Sequence, residues 1–343
     1  SVDVTGAVDS TLRFENCYIS NTLTSSGTNG HGMHIGNSAT PVVKDCIVVG
    51  GANGATCHGL MVDGQAAPWC DSCTFTGGSG GATSYGASLG GSSMARMSGC
   101  TAIGGNNGTG CTAWYITEAA APHLKGCNTQ LNEIIGSKAA TATTTCTFSV
   151  SKACQIASLY INVGTAGTGG ATVSVGTTLA GTDIVNAQSI TSTGDKYPTL
   201  GSASDENLAA NATIYITIGG TGSPSITLYY TVLVNNTTCR ALYTDSVGDA
   251  RLDNCVFVSN SASDAAYIAT AAITANKMRA SGCVLEARPR TTSAMKAVNA
   301  QGAYASAPFY TCTYVGGLTN LAPLAIPTTT GGMTFSDDVL IAT

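Results

Sequence analysis

The chain has 343 residues and a net charge of −5, with charged residues making up only 10% of it. That composition argues against nucleic acid as a partner, which calls for a dense basic surface. No apolar run is long enough to span a membrane. The 42 glycines, with abundant Ser, Thr and Asn, suit a protein built for rigid persistence outside a cell. No secretory-leader pattern opens the chain at Ser1.

The first 138 residues keep time. Cys17, Cys46, Cys73, Cys100 and Cys127 are separated by 29, 27, 27 and 27 residues, and a fixed period of this length marks a repeat architecture. Upstream of each cysteine stands an apolar pair: Met33 and Ile35, Leu60 and Val62, Ala87 and Leu89, Trp114 and Ile116. A small residue precedes each pair: Gly32, Gly59, Gly86 and Ala113. A second alternating run ends just before each cysteine, through Phe14, Val43, Cys70, Met97 and Leu124. A third follows it, through Ile19, Val48, Phe75 and Ala102. Period-two alternation predicts strands, two or three short ones per repeat, with no helical period between them.

The next cysteine of the series is due near position 154, yet the ladder resumes only at Cys255. An insertion is therefore expected over 139–236. It opens on the Thr-rich run 141–145 and closes on 235–238. Between them lie alternating stretches at 147–150, 156–163, 171–175, 211–218 and 225–234, separated by Gly-rich turns. Many short strands with such turns predict an antiparallel β-sandwich. Its ends should lie close together and project it from the solenoid.

The repeat returns over 237–320, where Cys255, Cys283 and Cys312 follow at 28 and 29. Beyond Cys312 the pattern dissolves. Pro323 and Pro327 cannot donate to a strand ladder and are expected to stop further coils. The segment 321–343 then reads as an extension that packs on another subunit or a different particle protein, with the bare first coil covered likewise.

A repeat of this size without helix cannot bury its apolar residues alone; stacking neighbours does so. The geometry that fits is a right-handed parallel β-helix with coils about 4.8 Å apart. Cys17, Cys46, Cys73, Cys100, Cys127, Cys255, Cys283 and Cys312 then form a structural ladder of small buried side chains. The alternative is an oxidised protein with some cross-coil or inter-subunit bridges. Cys57, Cys111 and Cys239 share a second phase, while Cys70, Cys146 and Cys154 stand outside both rows and are the better disulfide candidates. No spacing calls for zinc or another metal, and no motif calls for a cofactor.

Candidate chemistry is sparse. Glycoside hydrolysis needs two carboxyl groups about 5–10 Å apart. Asp63 and Asp245 share a phase but lie three coils apart; Glu118 and Asp245 lie one coil apart and are the weak catalytic candidates. One outward row carries Arg13, Arg96, His123, Arg251 and Arg279, with Val42 and Trp69 between; the next carries Glu15, Lys44, Asp71, Lys125 and Asp253. These rows read as a solvated salt-bridged face or as a groove for an anion or polysaccharide. His31 and His58 stack in one phase, either as a surface pair or as a metal site. The row His34, Met61, Ser88, Tyr115 and Tyr243 is the best interaction face, since Tyr favours partner and sugar contacts. Asn107, Asn211, Asn235 and Asn236 head glycosylation sequons of the kind a Thr-rich chain produces by chance.

Over 1–135 and 239–320 the chain resembles right-handed parallel β-helix proteins of the pectate-lyase-like superfamily. Within that group it looks most like bacteriophage virion proteins: tailspikes, fibres and capsid-attached appendages. The runs 181–185 and 211–220 look like the small jelly-roll-like domains of phage structural proteins. The resemblance implies a non-enzymatic virion component, with other virion proteins or copies of itself as partners, a homotrimer among them. The alternatives are a polysaccharide-degrading tailspike or lyase and a non-catalytic module that binds host-surface glycan. Fold alone does not choose among these.

Overall fold

The computed structural model describes 1–6, 9, 11–21, 27–52, 54–79, 82–105, 111–130, 133–141, 146–149, 154–201, 208–209, 211–234, 240–245, 249–259, 266–268, 277–287, 298–300, 307–315, 324–325, 333–336 and 339–341. These residues are all-β, with no helix among them. The chain divides into two compact units, one of 1–132 with 236–343 and one of 133–235.

The larger unit is a parallel β-helix. Among the described residues it has three parallel sheets of nine strands each. The first sheet begins Val2–Val4, Met33–Ile35, Leu60–Val62, Ala87–Leu89, Trp114–Ile116 and Leu242–Thr244. The second runs through Val42–Lys44, Trp69–Asp71, Arg96–Ser98, His123–Lys125 and Asp249–Asp253. The third runs through Ile47–Val49, Thr74–Thr76, Thr101–Ile103 and Val256–Ser259. Alternate residues of the strands enter a dry interior where burial is described: Met33, Ile35, Leu60, Leu89, Trp114 and Ile116 from the first sheet are fully buried. The small residue ahead of that sheet is required by close packing. A Cβ on Gly59 would stand 2.7 Å from both the carbonyl oxygen of Gly86 and the amide nitrogen of Thr76, which are backbone and cannot rotate away.

The cysteine period has a backbone cause. The residue before each ladder cysteine lies in the left-handed region: Asn16, Asp45, Ser72, Gly99, Gly126, Asn254, Gly282 and Thr311, with φ between 51° and 61°. This residue turns the chain from the second sheet into the third. Asn, Asp and Gly visit that region at low cost, whereas a β-branched side chain does not. Thr311, at φ 51°, is the one β-branched member. Thr311→Asn is therefore expected to raise stability by about 1 kcal/mol, seen as a higher urea midpoint at unchanged slope. A lower midpoint would show that the threonine side chain outweighs its strain.

Two boundaries differ from the sequence expectation. The smaller unit starts at Glu133, not 139, because the strand Glu133–Thr141 is continuous and pairs along its length with Ser225–Val234. The described residues of 321–343 do not leave the solenoid. Leu324–Ala325, Met333–Ser336 and Val339–Ile341 extend the three sheets by one more coil, in parallel register with Val298–Ala300, Ala307–Tyr310 and Thr313–Val315. Of the apolar residues that suggested an assembly tail, Leu324, Ala325, Val339, Leu340 and Ile341 fall on strand positions of that coil. Pro323 and Pro327 lie outside the described residues, and the strand between them is only two residues long.

The smaller unit is an antiparallel sandwich of two four-stranded sheets. One orders Glu133–Thr141, Ser225–Val234, Cys154–Thr165 and Gly194–Lys196; the other orders Cys146–Ser149, Thr213–Thr221, Thr168–Gly176 and Val185–Ser189. Ile156, Ile161, Val173, Ile214, Ile216 and Leu228 fill its core. First and last strands are neighbours, so the unit closes on itself. In the other unit, Trp114–Ile116 pairs directly with Leu242–Thr244 and His123–Lys125 with Arg251–Asp253, so the helix continues across the insertion as if it were absent.

Candidate functional site

Three ladders run along the β-helix, and each joins residues that the sequence separates by whole coils. The first is the thiol ladder. Cys46, Cys73, Cys100, Cys127, Cys255, Cys283 and Cys312 are buried, Cys17 at the end of the row is half-buried, and all are free thiols. Each donates to the carbonyl two residues behind it, as Cys73 does to Asp71 at 3.2 Å. Several also reach the preceding coil, as Cys255 does to the carbonyl of Leu124 at 3.4 Å and Cys283 to that of Leu252 at 3.3 Å. The carbonyls behind the cysteines also accept the backbone N–H of a turn residue on the adjacent coil, as Asp71 does from Asp45 at 3.0 Å, so the thiols add a second bond to them. Neighbouring thiols also bond to one another, and those bonds with burial hold Cys100 and Cys255 far above the ordinary thiol range. A thiolate at Cys127 would accept from both neighbours, yet it would be desolvated with no cation beside it, so the row keeps its protons.

Cys70, Cys146 and Cys154, singled out as disulfide candidates, are free thiols as well. Cys70 points into the core between Val43 and Met97, its partners in register, so no thiol faces it across the strands. Cys57 and Cys111 are buried free thiols; Cys239 lies outside the described residues. Cys73→Ser is expected to cost about 1–3 kcal/mol, because a more strongly polar group enters the dry row, and Cys73→Ala less. Thiol labelling should be slow in the native protein and complete after unfolding. Rapid native labelling at Cys73 would contradict the ladder.

The second ladder is aromatic. His31, His58, Tyr85, Tyr115 and Tyr243 stack ring on ring, with centroids 4.9, 4.7, 4.2 and 4.9 Å apart. The guanidinium of Arg240 lies 5.3 Å from the Tyr243 ring. The first three rings share one phase of the repeat; the last two sit three residues later in theirs. The stack therefore crosses between rows that the sequence keeps separate. His31 and His58 are not a surface pair: they are only 9% and 5% exposed. Nδ1 of His58 accepts the backbone N–H of Tyr85 at 3.2 Å, and Nδ1 of His31 has no hydrogen-bond partner among the described residues. Burial pulls the His31 imidazole down to about 4 and that of His58 to about 3. No group of three or more metal-ligating side chains forms among the described residues.

Of the expected interaction face, Tyr115 and Tyr243 belong to this stack. His34 instead bridges two carboxylates, Asp3 at 3.1 Å and Asp63 at 3.0 Å. Met61 stands in register between His34 and Ser88, half-buried, and Ser88 is buried. The face therefore offers less free surface than the pattern suggests.

The third ladder is the outward row of the second sheet. Trp69, Arg96, His123, Arg251 and Arg279 stand in direct register on successive strands. Trp69 is 57% exposed. A groove of about 530 Å³ lies over the row, lined by Met94, Arg96, Pro122, His123, Asp249 and Arg251. Nε2 of His123 lies 2.7 Å from Asp253, and Asp249 faces both Arg251 at 3.4 Å and Arg279 at 3.5 Å. Such exposed pairs stabilise by only about 0–1 kcal/mol each. Arg96 has no ion-pair partner among the described residues, so its guanidinium is available to a ligand.

Of the weak catalytic candidates Glu118 and Asp245, the first has a structural role. Glu118 occupies a turn at φ 57°, and its carboxylate accepts the backbone N–H of Gly91 one coil back. Burial raises the Tyr115 phenol above its ordinary value, and the nearby Asp245 and Glu118 carboxylates add to the rise. The geometry makes Glu118 a turn residue. Of the sequons, Asn211 is exposed in a turn, and Asn107, Asn235 and Asn236 lie outside the described residues.

Fold and ladders together define a parallel β-helix protein carrying an inserted β-sandwich. Comparison with protein-family models and with curated proteins finds no match.

Proposed function

We propose that this chain is a non-enzymatic structural component of a bacteriophage particle: an appendage, fibre or decoration protein. The observation that supports this best is the continuity of the ladders. Thiols, rings and outward charges repeat from coil to coil, and strand pairing bridges the insertion without a break in register. Such stacking favours stiffness along one axis, which suits a particle component, and low charge with abundant Gly, Ser and Thr suits life outside a cell. Mass spectrometry of purified particles from the source culture is expected to find the chain at fixed stoichiometry with the other virion proteins. Particles that lack it would remove the reading.

The groove on the second sheet favours a second role, a glycan-binding surface without catalysis. The guanidiniums of Arg96, Arg251 and Arg279 stand with His123 on successive strands about 4.8 Å apart beside the exposed Trp69, an arrangement that suits a linear acidic polysaccharide lying along the solenoid. Affinity electrophoresis through alginate or polygalacturonate is expected to retard the protein, and Arg96→Ala to weaken retention about tenfold, the worth of one charge-assisted contact. Equal mobility with and without polyanion would exclude it. Released oligosaccharides would point instead to degradation.

A further inference from the structure

A separate feature sits on the sandwich. Tyr229 and Tyr160 are direct cross-strand partners, and Tyr197 follows immediately after the edge strand Gly194–Lys196. Their rings form one row across the sheet. Tyr160 lies 4.7 Å from Tyr229 with the planes 7° apart, and 5.9 Å from Tyr197 at 30°. Both ends of the row are open. Tyr197 is 77% exposed, and beyond Tyr229 stands Ser137, its partner on the other side, which is too small to cover a ring. None of the three hydroxyls makes a hydrogen bond among the described residues. Two residues along the same face, Asn162 donates to Asp195 at 2.7 Å. Each keeps a side-chain oxygen without a hydrogen-bond partner among the described residues.

We propose that this tyrosine row is a binding platform for a neutral glycan. Three physical points carry the choice of ligand. The C–H faces of a pyranose carry partial positive charge and pack on the negative face of an aromatic ring, which the open rings at the ends of the row supply. Asn162 and Asp195 stand beside the rings and present acceptors to sugar hydroxyls. The face around the row carries Ser137, Ala139, Ser158, Thr227 and Thr231, so a charged polymer finds no row of opposite charge. Size argues the same way. A stable protein interface needs about 800 Å² from each partner, and three tyrosines with the exposed Ile135 on the same face fall well short of that.

The site is independent of the groove on the β-helix, and the experiment separates the two. Isothermal titration of the full chain is run with cellohexaose, maltohexaose and mannohexaose, and with hexagalacturonate as the acidic arm. At least one neutral hexasaccharide is expected to bind. Tyr197→Ala should weaken that binding about tenfold or more, while Tyr197→Phe keeps it within about threefold, since the ring and not the hydroxyl stacks. Arg96→Ala should leave it unchanged. Tyr197 is exposed, so its replacement leaves the core intact; matching unfolding midpoints confirm this for each variant. The proposal is overturned if none of the neutral sugars binds, if Tyr197→Ala binds like the parent, or if Arg96→Ala removes neutral-sugar binding.

Discussion

Trp114→Ala should destabilise the protein by about 3–5 kcal/mol, the range for emptying a large core site. Trp114 heads the fully buried side chains by volume and is 0% exposed. Its neighbours in register are Ala87 below and Leu242 above. The third sheet places small inward residues, Ala102 and Thr129, at the same levels. Large therefore stands beside small at Ala87, Ala102 and Thr129. The indole Nε1 also donates to the carbonyl of Asn128 at 3.1 Å, tying the first sheet to the third through the interior. Removing it loses that interior hydrogen bond, a further cost of about 1 kcal/mol. Trp114→Phe keeps most of the volume and should lose less. Urea unfolding of the three proteins decides the matter, and a loss below about 1 kcal/mol for alanine would mean the coils collapse onto the cavity.

Acid should weaken the fold strongly, through His31 and His58. Both imidazoles are buried and neutral, with folded values near 4 and 3 against 6.5 when free. The sign follows from proton uptake. Above pH 6.5 neither state binds the proton, and the histidines do not affect stability. As pH falls below 6.5 the unfolded chain takes up protons that the folded chain refuses, so stability declines until the folded values are reached. At about pH 4.5 the pair should account for a loss on the order of 4 kcal/mol, since each tenfold drop in proton affinity on folding is worth roughly 1.4 kcal/mol. The groups facing them are Asp3, Asp63 and His34 at one end and Tyr85 at the other. The Asp3 and Asp63 carboxylates pull the His31 value up, and burial outweighs them. A double variant, His31→Phe with His58→Phe, keeps the ring stack and removes the protons. Its urea midpoint should fall much less between pH 7 and pH 4.5 than that of the parent. Parallel falls in both proteins would assign the acid sensitivity to carboxylates instead.

The sequence by itself determined the β-helix. A coil must place its residues on those of the coil before it, so a period of 27–29 with a cysteine at one phase fixes the architecture, the inward rows and the presence of an insertion after Cys127, though not its first residue. The same period carried a signal beside the cysteines: Asn, Asp, Ser, Gly or Thr always precedes them, and that residue holds the left-handed turn. Tertiary structure decided what lies between rows. His31, His58 and Tyr85 share a phase, but their union with Tyr115 and Tyr243 depends on rings leaning across three residues of chain, which no period records. The tyrosine row of the sandwich joins 160, 197 and 229 through antiparallel register, which alternation alone leaves open. The end of the solenoid was hidden for a related reason. Once the cysteine is lost after Cys312, nothing in the pattern marks a coil, yet backbone pairing needs no particular side chain, and Met333–Ser336 and Val339–Ile341 still find their neighbours. Sequence periodicity specifies which residues stack; the reach of side chains and the pairing of backbones decide which of them meet.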